Sequence, residues 1–402
     1  MDKYLKDLLK YFKHIERIKG KETRKYRFRT IKRTCIDYSL KLLNQTIARI
    51  NFDKNNIETD ILVVLTCDSS YSQTKHIWDQ LKLDGYNIKF VKDTVKELIK
   101  ATLIEKVNLN IPSKLVPFAA FSKLINRKYN PNLICMFTHY NVLPSFVKHY
   151  SKVKTLYIPH AIIDSTYMYS NQDFDYYMIF GESSELNIKE NPLTIGKTRF
   201  LKVGSPVIKK DSKLEVIKPN NKFLFFSTWI IGEDAQITFD FRMMLEWIKT
   251  KPSYTLYIKL HPMENEAFVK KETKGIENIF ILMKSTTIKE ALEKVSAVLI
   301  NFSVASVEAA LMNRPSIVIN SLKKDTESKD FRVSDKYLYI ENFFPKRARN
   351  IIEIQESVNT VFDNYDHFIK QCEKYTSFHI ERTTDSSSFV LKTIKDIYYE
   401  KI

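Results

Sequence analysis

The chain has 402 residues, of which 44% are hydrophobic and 13% aromatic, and its formal net charge at pH 7 is +17. This much core-forming material argues against a disordered chain, and the length suits two domains better than a single core. The charge predicts a polyanionic partner: nucleic acid, an anionic membrane surface or an anionic substrate.

The cysteines and the apolar runs indicate the compartment. The chain has four cysteines without a CxxC pair or a zinc-type spacing: Cys35, Cys67, Cys135 and Cys372. Such cysteines are typical of reduced thiols in a cytoplasmic protein. The sequence lacks an apolar run of about eighteen residues and the apolar segment of a signal peptide. We therefore expect a soluble, cytoplasmic protein.

The predicted elements begin with a basic helical segment at 1–50, since apolar residues recur at helix spacing between Leu5 and Ile15. Its positive charge is concentrated at 13–33. Short apolar runs then alternate with amphipathic stretches. The predicted strands of the first half are 61–67, 87–91, 133–137, 155–158, 176–180 and 200–204. Its predicted helices are 72–85, 142–150 and one that starts at Glu182.

The same alternation restarts after a polar stretch at 209–221, which predicts a linker. The predicted strands of the second half are 222–227, 255–260, 278–282, 297–301 and 316–320. Its predicted helices are 241–249, one from Glu264, 287–295, 303–312, 351–365 and 389–400. Strands that alternate with helices indicate βαβ units on parallel sheets.

The fold class is therefore α/β, with two doubly wound Rossmann-like domains that face a cleft and extra helices at both termini. We predict the domains at 51–210 and 222–340, and we expect the helices of 341–402 to pack across them. Ligands of such sheets bind at the carboxyl ends of the strands.

One candidate site residue is His261 in the stretch "LYIKLHP", at the carboxyl end of a predicted strand. Pro262 follows it and ends the strand. An imidazole there can donate to a phosphate oxygen, and as a cation it would also stabilise leaving-group charge. The alternative is a histidine that caps a strand carbonyl. Lys259 shares the face of the strand and either adds positive charge to the site or is simply exposed.

A second motif lies in "INFSVASVEAALMNRPSIVIN", where a strand leads into a helix that carries Ser303, Ser306 and Glu308. Unpaired N–H groups and the helix dipole favour a phosphate at such a start, and serine hydroxyls add donors. The alternative for Ser303 is a simple N-cap. The chain has only seven glycines and neither GxGxxG nor a P-loop, so these side chains would have to hold the phosphate.

"KLHP" followed by "S-x-x-S-x-E-A-A-L-x-x-x-P-S-I-V-I" resembles the carboxyl-terminal domain of GT-B glycosyltransferases that make bacterial surface polymers. These include capsule and lipooligosaccharide sialyltransferases, polysialyltransferases and teichoic-acid glycerophosphotransferases. The resemblance covers 222–320 and implies that the histidine and serine motifs contact a CMP- or CDP-activated donor. It also implies that Glu308, seven residues before Pro315, binds the donor ribose, and that Ser227 and Thr228 lie near the donor phosphate.

In the first half, His160 of "TLYIPHAIID" resembles the "HG" element of teichoic-acid polymerases and capsule transferases, with Ala161 in place of glycine. The resemblance implies that it faces the acceptor and acts as general base. His139 ends another predicted strand and is an alternative. In the sialyltransferase-like families the base is a carboxylate of the first domain, and Asp68 is the candidate for that role. Glu182 is expected to be a helix-start carboxylate.

The implied function is a metal-independent glycosyltransferase without a cofactor, whose partners are a nucleotide-sugar donor and a glycan or glycolipid acceptor. Its basic N-terminal segment would hold it on the inner face of an anionic membrane. The sequence has no DxD motif in a suitable loop and no GxSxG. The alternatives are an enzyme like UDP-N-acetylglucosamine 2-epimerase, and a nucleic-acid-binding protein that uses "KYRFRTIKR". We rank nucleic acid below the nucleotide-sugar donor as partner.

Overall fold

The computed structural model divides the chain into two compact units, one of Met1–Val207 with Thr384–Ile402 and one of Ile208–Thr383. The predicted terminal segments are therefore parts of these units. The described residues are 3–20, 25–47, 57–66, 68–137, 141–159, 162–163, 169–190, 194–206, 214–227, 235–261, 264–301, 303–321, 337–381 and 385–400.

The described residues form strands and helices that alternate as the sequence predicts. The strands are β1 Thr59–Leu65, β2 Ile88–Lys92, β3 Pro131–Met136, β4 Lys154–Tyr157, β5 Tyr176–Ile179, β6 Arg199–Lys202, β7 Lys222–Phe226, β8 Thr255–Lys259, β9 Ile279–Ile281, β10 Ala297–Ile300 and β11 Ser316–Val318. The helices are α1 Lys3–Gly20, α2 Lys25–Ile47, α3 Asp68–Leu83, α4 Val95–Ile104, α5 Val116–Tyr129, α6 Leu143–Tyr150, α7 Glu182–Glu190, α8 Ala235–Lys249, α9 Glu266–Glu272, α10 Ile288–Leu292, α11 Ala305–Leu311, α12 Ile351–Asp363, α13 Tyr365–His379 and α14 Ser386–Tyr398. None of these described helices has both the length and the apolar character of a membrane span.

The first unit contains a parallel sheet with the strand order β2-β1-β3-β4-β5-β6. Successive side chains of a strand point to opposite faces, and both faces of β1 are buried. Leu62 and Val64 belong to one apolar cluster, and Ile61, Val63 and Leu65 belong to another. A strand buried on both faces reads as a continuous apolar run, which explains "ILVVL".

Of the N-terminal helices, α1 packs on one face of this sheet and α2 packs against α4. Leu8, Tyr11, Phe12 and Ile15 of α1 are buried in the same cluster as Leu62. The amide nitrogen of Asn44 on α2 donates to the carbonyls at the end of α4, over 2.6 and 2.7 Å. The predicted basic helical segment is thus a structural part of the first unit.

The C-terminal helix α14 covers the opposite face of the first sheet. Val390, Ile394 and Ile397 lie in one cluster with Trp78 and Leu81 of α3. This placement assigns the last helix to the first unit and α12 and α13 to the second.

The second unit contains a parallel sheet with the order β11-β10-β7-β8-β9. Strands are added outward from β7 in both directions, so the order reverses between β7 and β10. Phe223 of β7 stacks on Phe362 of α12 with ring centroids 5.5 Å apart, and Phe225 lies 5.6 Å from Phe241 of α8. Ligands of open α/β sheets bind at such a reversal, outside the carboxyl ends of the strands. Both sheets confirm the predicted α/β fold class.

Candidate functional site

The carboxyl ends of three neighbouring strands bring polar side chains together in the second unit. Strand β7 lies between β10 and β8, with Phe226 in register with Ile300 on one side and with Lys259 on the other. Ser227 follows β7 directly and Asn301 follows β10 directly, while His261 stands two residues beyond β8. These ends meet at the point where the strand order reverses.

Ser227 joins the ends of β7 and β8. Its backbone N–H donates to the carbonyl of Lys259 over 3.1 Å, and its hydroxyl oxygen accepts the backbone N–H of His261 over 3.0 Å. The residue is 5% exposed. Ser227 therefore extends the pairing of the two strands and fixes the backbone that carries the imidazole.

His261 is half-buried, and this burial lowers the pKa of its imidazole below the ordinary value of 6.5. The lowered pKa favours the neutral imidazole over the cation in the free protein. A neutral ring can still donate one N–H to a phosphate oxygen, and a bound anion would raise its pKa. The ammonium of Lys259 donates to the carbonyl of Lys284 over 3.2 Å. Pro262 and Thr228 lie outside the described residues.

The two serines of the second motif have different surroundings. The hydroxyl of Ser303 accepts the backbone N–H of Ala305 over 3.2 Å, just before α11, whose N-cap residue is Val304. Ser306 is fully buried, and its hydroxyl shares a hydrogen bond of 3.1 Å with Tyr375 of α13. Ser306 therefore joins α11 to α13, and its contact with the donor remains a prediction from the sequence.

Glu308 has the most perturbed carboxylate of this region. Burial raises its pKa from the ordinary 4.5 to about 7. Within the described residues, its side chain forms neither an ion pair nor a hydrogen bond that would offset this desolvation. Because it retains slight solvent access, the carboxylate can accept hydrogen bonds from a bound molecule. Two ribose hydroxyls are donors of the required kind.

A buried polar network, which the sequence did not reveal, connects the ends of β10 and β11 to α8. The carboxylate of Asp240 accepts the amide N–H of Asn301 over 2.9 Å and the backbone N–H of Ser321 over 2.9 Å. Gln236 donates to the same carboxylate over 3.1 Å. Burial raises the pKa of Asp240 in spite of these donors. The network fixes the strand ends beside the site.

The first unit contributes one described candidate. Asp68 starts α3, just beyond the carboxyl end of β1, and its carboxylate pairs with Lys92 over 2.6 Å in an exposed position. Glu182 is the first residue of α7, as expected of a helix-start carboxylate. His160 and His139 lie outside the described residues. Among the described residues, no group of three histidine, cysteine or carboxylate side chains could hold a metal ion.

The sequence matches neither a known family profile nor a curated protein. Its structure is nevertheless similar to solved ones. A protein from Listeria monocytogenes assigned as a UDP-N-acetylglucosamine 2-epimerase has a TM-score of 0.55 and 11% identity, over 85% of this chain and 97% of that one. The UDP-GlcNAc 2-epimerase of Neisseria meningitidis, solved with UDP-GlcNAc, has a TM-score of 0.52 and 12% identity, over 84% and 100%.

A transferase has a similar structure as well. The lipopolysaccharide outer core galactosyltransferase WaaB has a TM-score of 0.51 and 12% identity, over 85% of this chain and 99% of that one. At such identities the likeness defines the fold alone. The two parallel-sheet α/β units are those of a GT-B-like fold, which glycosyltransferases and sugar-nucleotide epimerases share.

Proposed function

We propose that the protein is a glycosyltransferase that moves a sugar, or a polyol phosphate, from a nucleotide-activated donor to a cell-surface glycan acceptor. The donor would be CMP- or CDP-linked, as the sequence resemblance implies. One observation carries the proposal: the half-buried His261 follows β8 and the desolvated Glu308 follows β10, and these two strands flank β7 at the strand-order reversal of the second sheet. Nucleotides bind at such reversals in doubly wound folds.

Each side chain would have a distinct task. His261 would donate to a donor phosphate, and Ser227 would hold its backbone in place. Glu308 would accept the ribose hydroxyls, and the pair of hydrogen bonds would favour its ionised form. The hydroxyls of Ser303 and Thr228 remain predicted phosphate donors. This set of groups requires no metal to bind the donor.

The general base would come from the first unit. His160 and Asp68 remain the two candidates, as the sequence predicts. A base must come within hydrogen-bond reach of the acceptor hydroxyl, directly or through one water. The exposed ion pair of Asp68 with Lys92 leaves its carboxylate accessible to solvent, which such a base requires.

A second candidate function is that of an epimerase acting on UDP-N-acetylglucosamine. The structural similarity to the Listeria and Neisseria proteins favours it as strongly as the similarity to WaaB favours a transferase. The two reactions have different products. An epimerase converts the sugar nucleotide into an isomer of equal mass without an acceptor, whereas a transferase releases the nucleotide in proportion to the acceptor it consumes.

The experiment follows from this difference. The purified protein is incubated with CMP-, CDP- and UDP-linked sugars, with and without a glycan acceptor, and the products are separated by mass spectrometry and proton NMR. Acceptor-dependent nucleotide release supports the transferase. A new sugar anomer or epimer from UDP-N-acetylglucosamine alone supports the epimerase. Intact donors under all conditions would contradict both.

We also propose contact with an anionic membrane surface through the basic segment 13–33. Next to it, α2 exposes large apolar side chains: Tyr38 is 60% exposed and Leu42 is 68% exposed. Basic residues beside exposed apolar ones are typical of helices that lie on anionic lipid. Co-sedimentation with phosphatidylglycerol vesicles, but not with phosphatidylcholine vesicles, would support this contact. Equal recovery with both would contradict it.

A further inference from the structure

We propose that the first unit carries a second binding site, for a single-chain amphiphile with an anionic head group. The site is a cavity of about 630 Å³ between the edge strand β2 and the helices α4 and α5. This volume lies within the range of small-molecule pockets, roughly 300–1,000 Å³. The proposal does not depend on the function proposed for the second unit.

The inner lining of the cavity is apolar. Phe121 and Ile125 of α5 are buried at its base, and Leu124 of the same helix is half-buried. Val91 of β2 and Ile104 of α4 are also half-buried and face the same space. An alkyl chain inserted here would remove apolar surface from water on both sides, which stabilises binding by about 25 cal/mol per Å².

The outer lining is basic. It includes the exposed cations Lys92, Lys100, Arg127 and Lys128, with Glu97 as the carboxylate of the lining. Lys92 and Arg127 already pair with carboxylates outside the cavity. Within the described residues, Lys100 and Lys128 form no such ion pair. These two ammonium groups are therefore available to an anionic head.

The free edge of β2 adds polar groups to the same opening. The carbonyl of Asn87 and the N–H of Asp93 form hydrogen bonds to β1. Along a strand the backbone N–H and C=O groups of successive residues point alternately to the two sides. The backbone groups of Phe90 and Lys92 therefore point away from β1, toward the free side of β2. Both residues line the cavity. An amide, hydroxyl or phosphate next to the alkyl chain can bond to this edge.

The arrangement matches one ligand chemistry. An apolar interior between two helices accepts one chain, and the exposed lysines accept one negative charge at its end. A membrane surface would reach the lysines but leave the interior empty. A small anion would leave the apolar lining exposed to water.

The test is a calorimetric titration of the full chain with dodecyl phosphate below its critical micelle concentration. We expect one molecule to bind per chain, and we expect both dodecyltrimethylammonium and inorganic phosphate to bind about tenfold or more weakly. Binding to phosphatidylglycerol vesicles without binding of monomeric dodecyl phosphate would overturn the proposal, as would equal affinity for the cationic amphiphile.

Variants separate the two parts of the site. Lys100→Glu and Lys128→Glu should each weaken dodecyl phosphate about tenfold. Lys96→Glu, an exposed position of α4 outside the lining, is the matched control and should change nothing. Leu124→Trp fills the cavity and should abolish binding with an unchanged circular dichroism spectrum. If the charge reversals and the control have the same effect, the head-group assignment is wrong.

Discussion

Replacing Glu308 by glutamine should stabilise the protein while impairing its function. Burial raises the pKa of this carboxyl from 4.5 to about 7. Between these values the folded state holds a proton that the unfolded state has released, so the free energy of unfolding falls as pH rises. The loss is complete above pH 7. The difference between the two pKa values corresponds to a loss of about 3 kcal/mol in the free energy of unfolding. This figure is an upper bound, because Glu308 retains slight solvent access.

Glutamine is neutral at every pH and removes this cost. At pH 8, Glu308→Gln should therefore unfold at a higher urea concentration than the wild type, by up to about 3 kcal/mol in free energy. Below pH 4.5 the carboxyl is protonated in both states, and the two proteins should have equal stability. Glu356→Gln, the same change at an exposed position of α12, is the control.

Urea titrations followed by circular dichroism at pH 4 and pH 8 measure this difference. Glu308→Gln should be more stable than the wild type at pH 8 and equally stable at pH 4, and Glu356→Gln should show no such difference. This result supports a desolvated carboxylate at Glu308. Equal stability of Glu308→Gln and the wild type at pH 8 would refute it. The same variant should bind nucleotide more weakly, because a residue kept at the expense of stability is expected at a functional site.

Three further changes test other parts of the structure. Arg314→Met should lower the free energy of unfolding by about 3 kcal/mol in urea titrations. The buried guanidinium donates to two main-chain carbonyls over 3.0 and 3.1 Å, and these would lose their partner. Unchanged stability would contradict this role. Ser227→Ala should cost about 1 kcal/mol and weaken nucleotide binding through the displaced backbone of His261, and an unchanged nucleotide affinity would contradict it. His160→Ala should reduce turnover roughly 10²–10⁴-fold with little change in donor binding. If Asp68→Asn abolishes turnover and His160→Ala does not, the base is the carboxylate.

The local pattern of the sequence predicts much of the fold. Each predicted strand is confirmed, because strands buried in parallel sheets are continuous apolar runs that stand out from amphipathic helices. The apolar pattern does not predict α4 and α5, which lie in the long stretch between β2 and β3, nor does it predict α13. The helix predicted over 351–365 ends at Asp363, since Asn364 separates α12 from α13.

The candidate site is predictable where a residue's position along a strand determines its role. His261 directly follows the apolar run of a predicted strand, so its place beyond the carboxyl end of β8 follows from the local sequence. Ser306 differs, because its partner Tyr375 is 69 residues away and only packing determines which face of α11 is buried. The bond from Asn301 to Asp240 spans 61 residues and is equally invisible in the sequence.

Nucleotide binding by the second unit is the central claim, and calorimetric titration with CMP, CDP and UDP tests it most directly. We predict one nucleotide site, weakened by about 1–3 kcal/mol in His261→Ala and unchanged in His367→Ala, an exposed histidine of α13. Affinity should rise as pH falls from 8 to 6, because burial lowers the pKa of His261 and a bound phosphate raises it. No binding of any nucleotide, or equal affinity of the wild type and His261→Ala, would contradict the account.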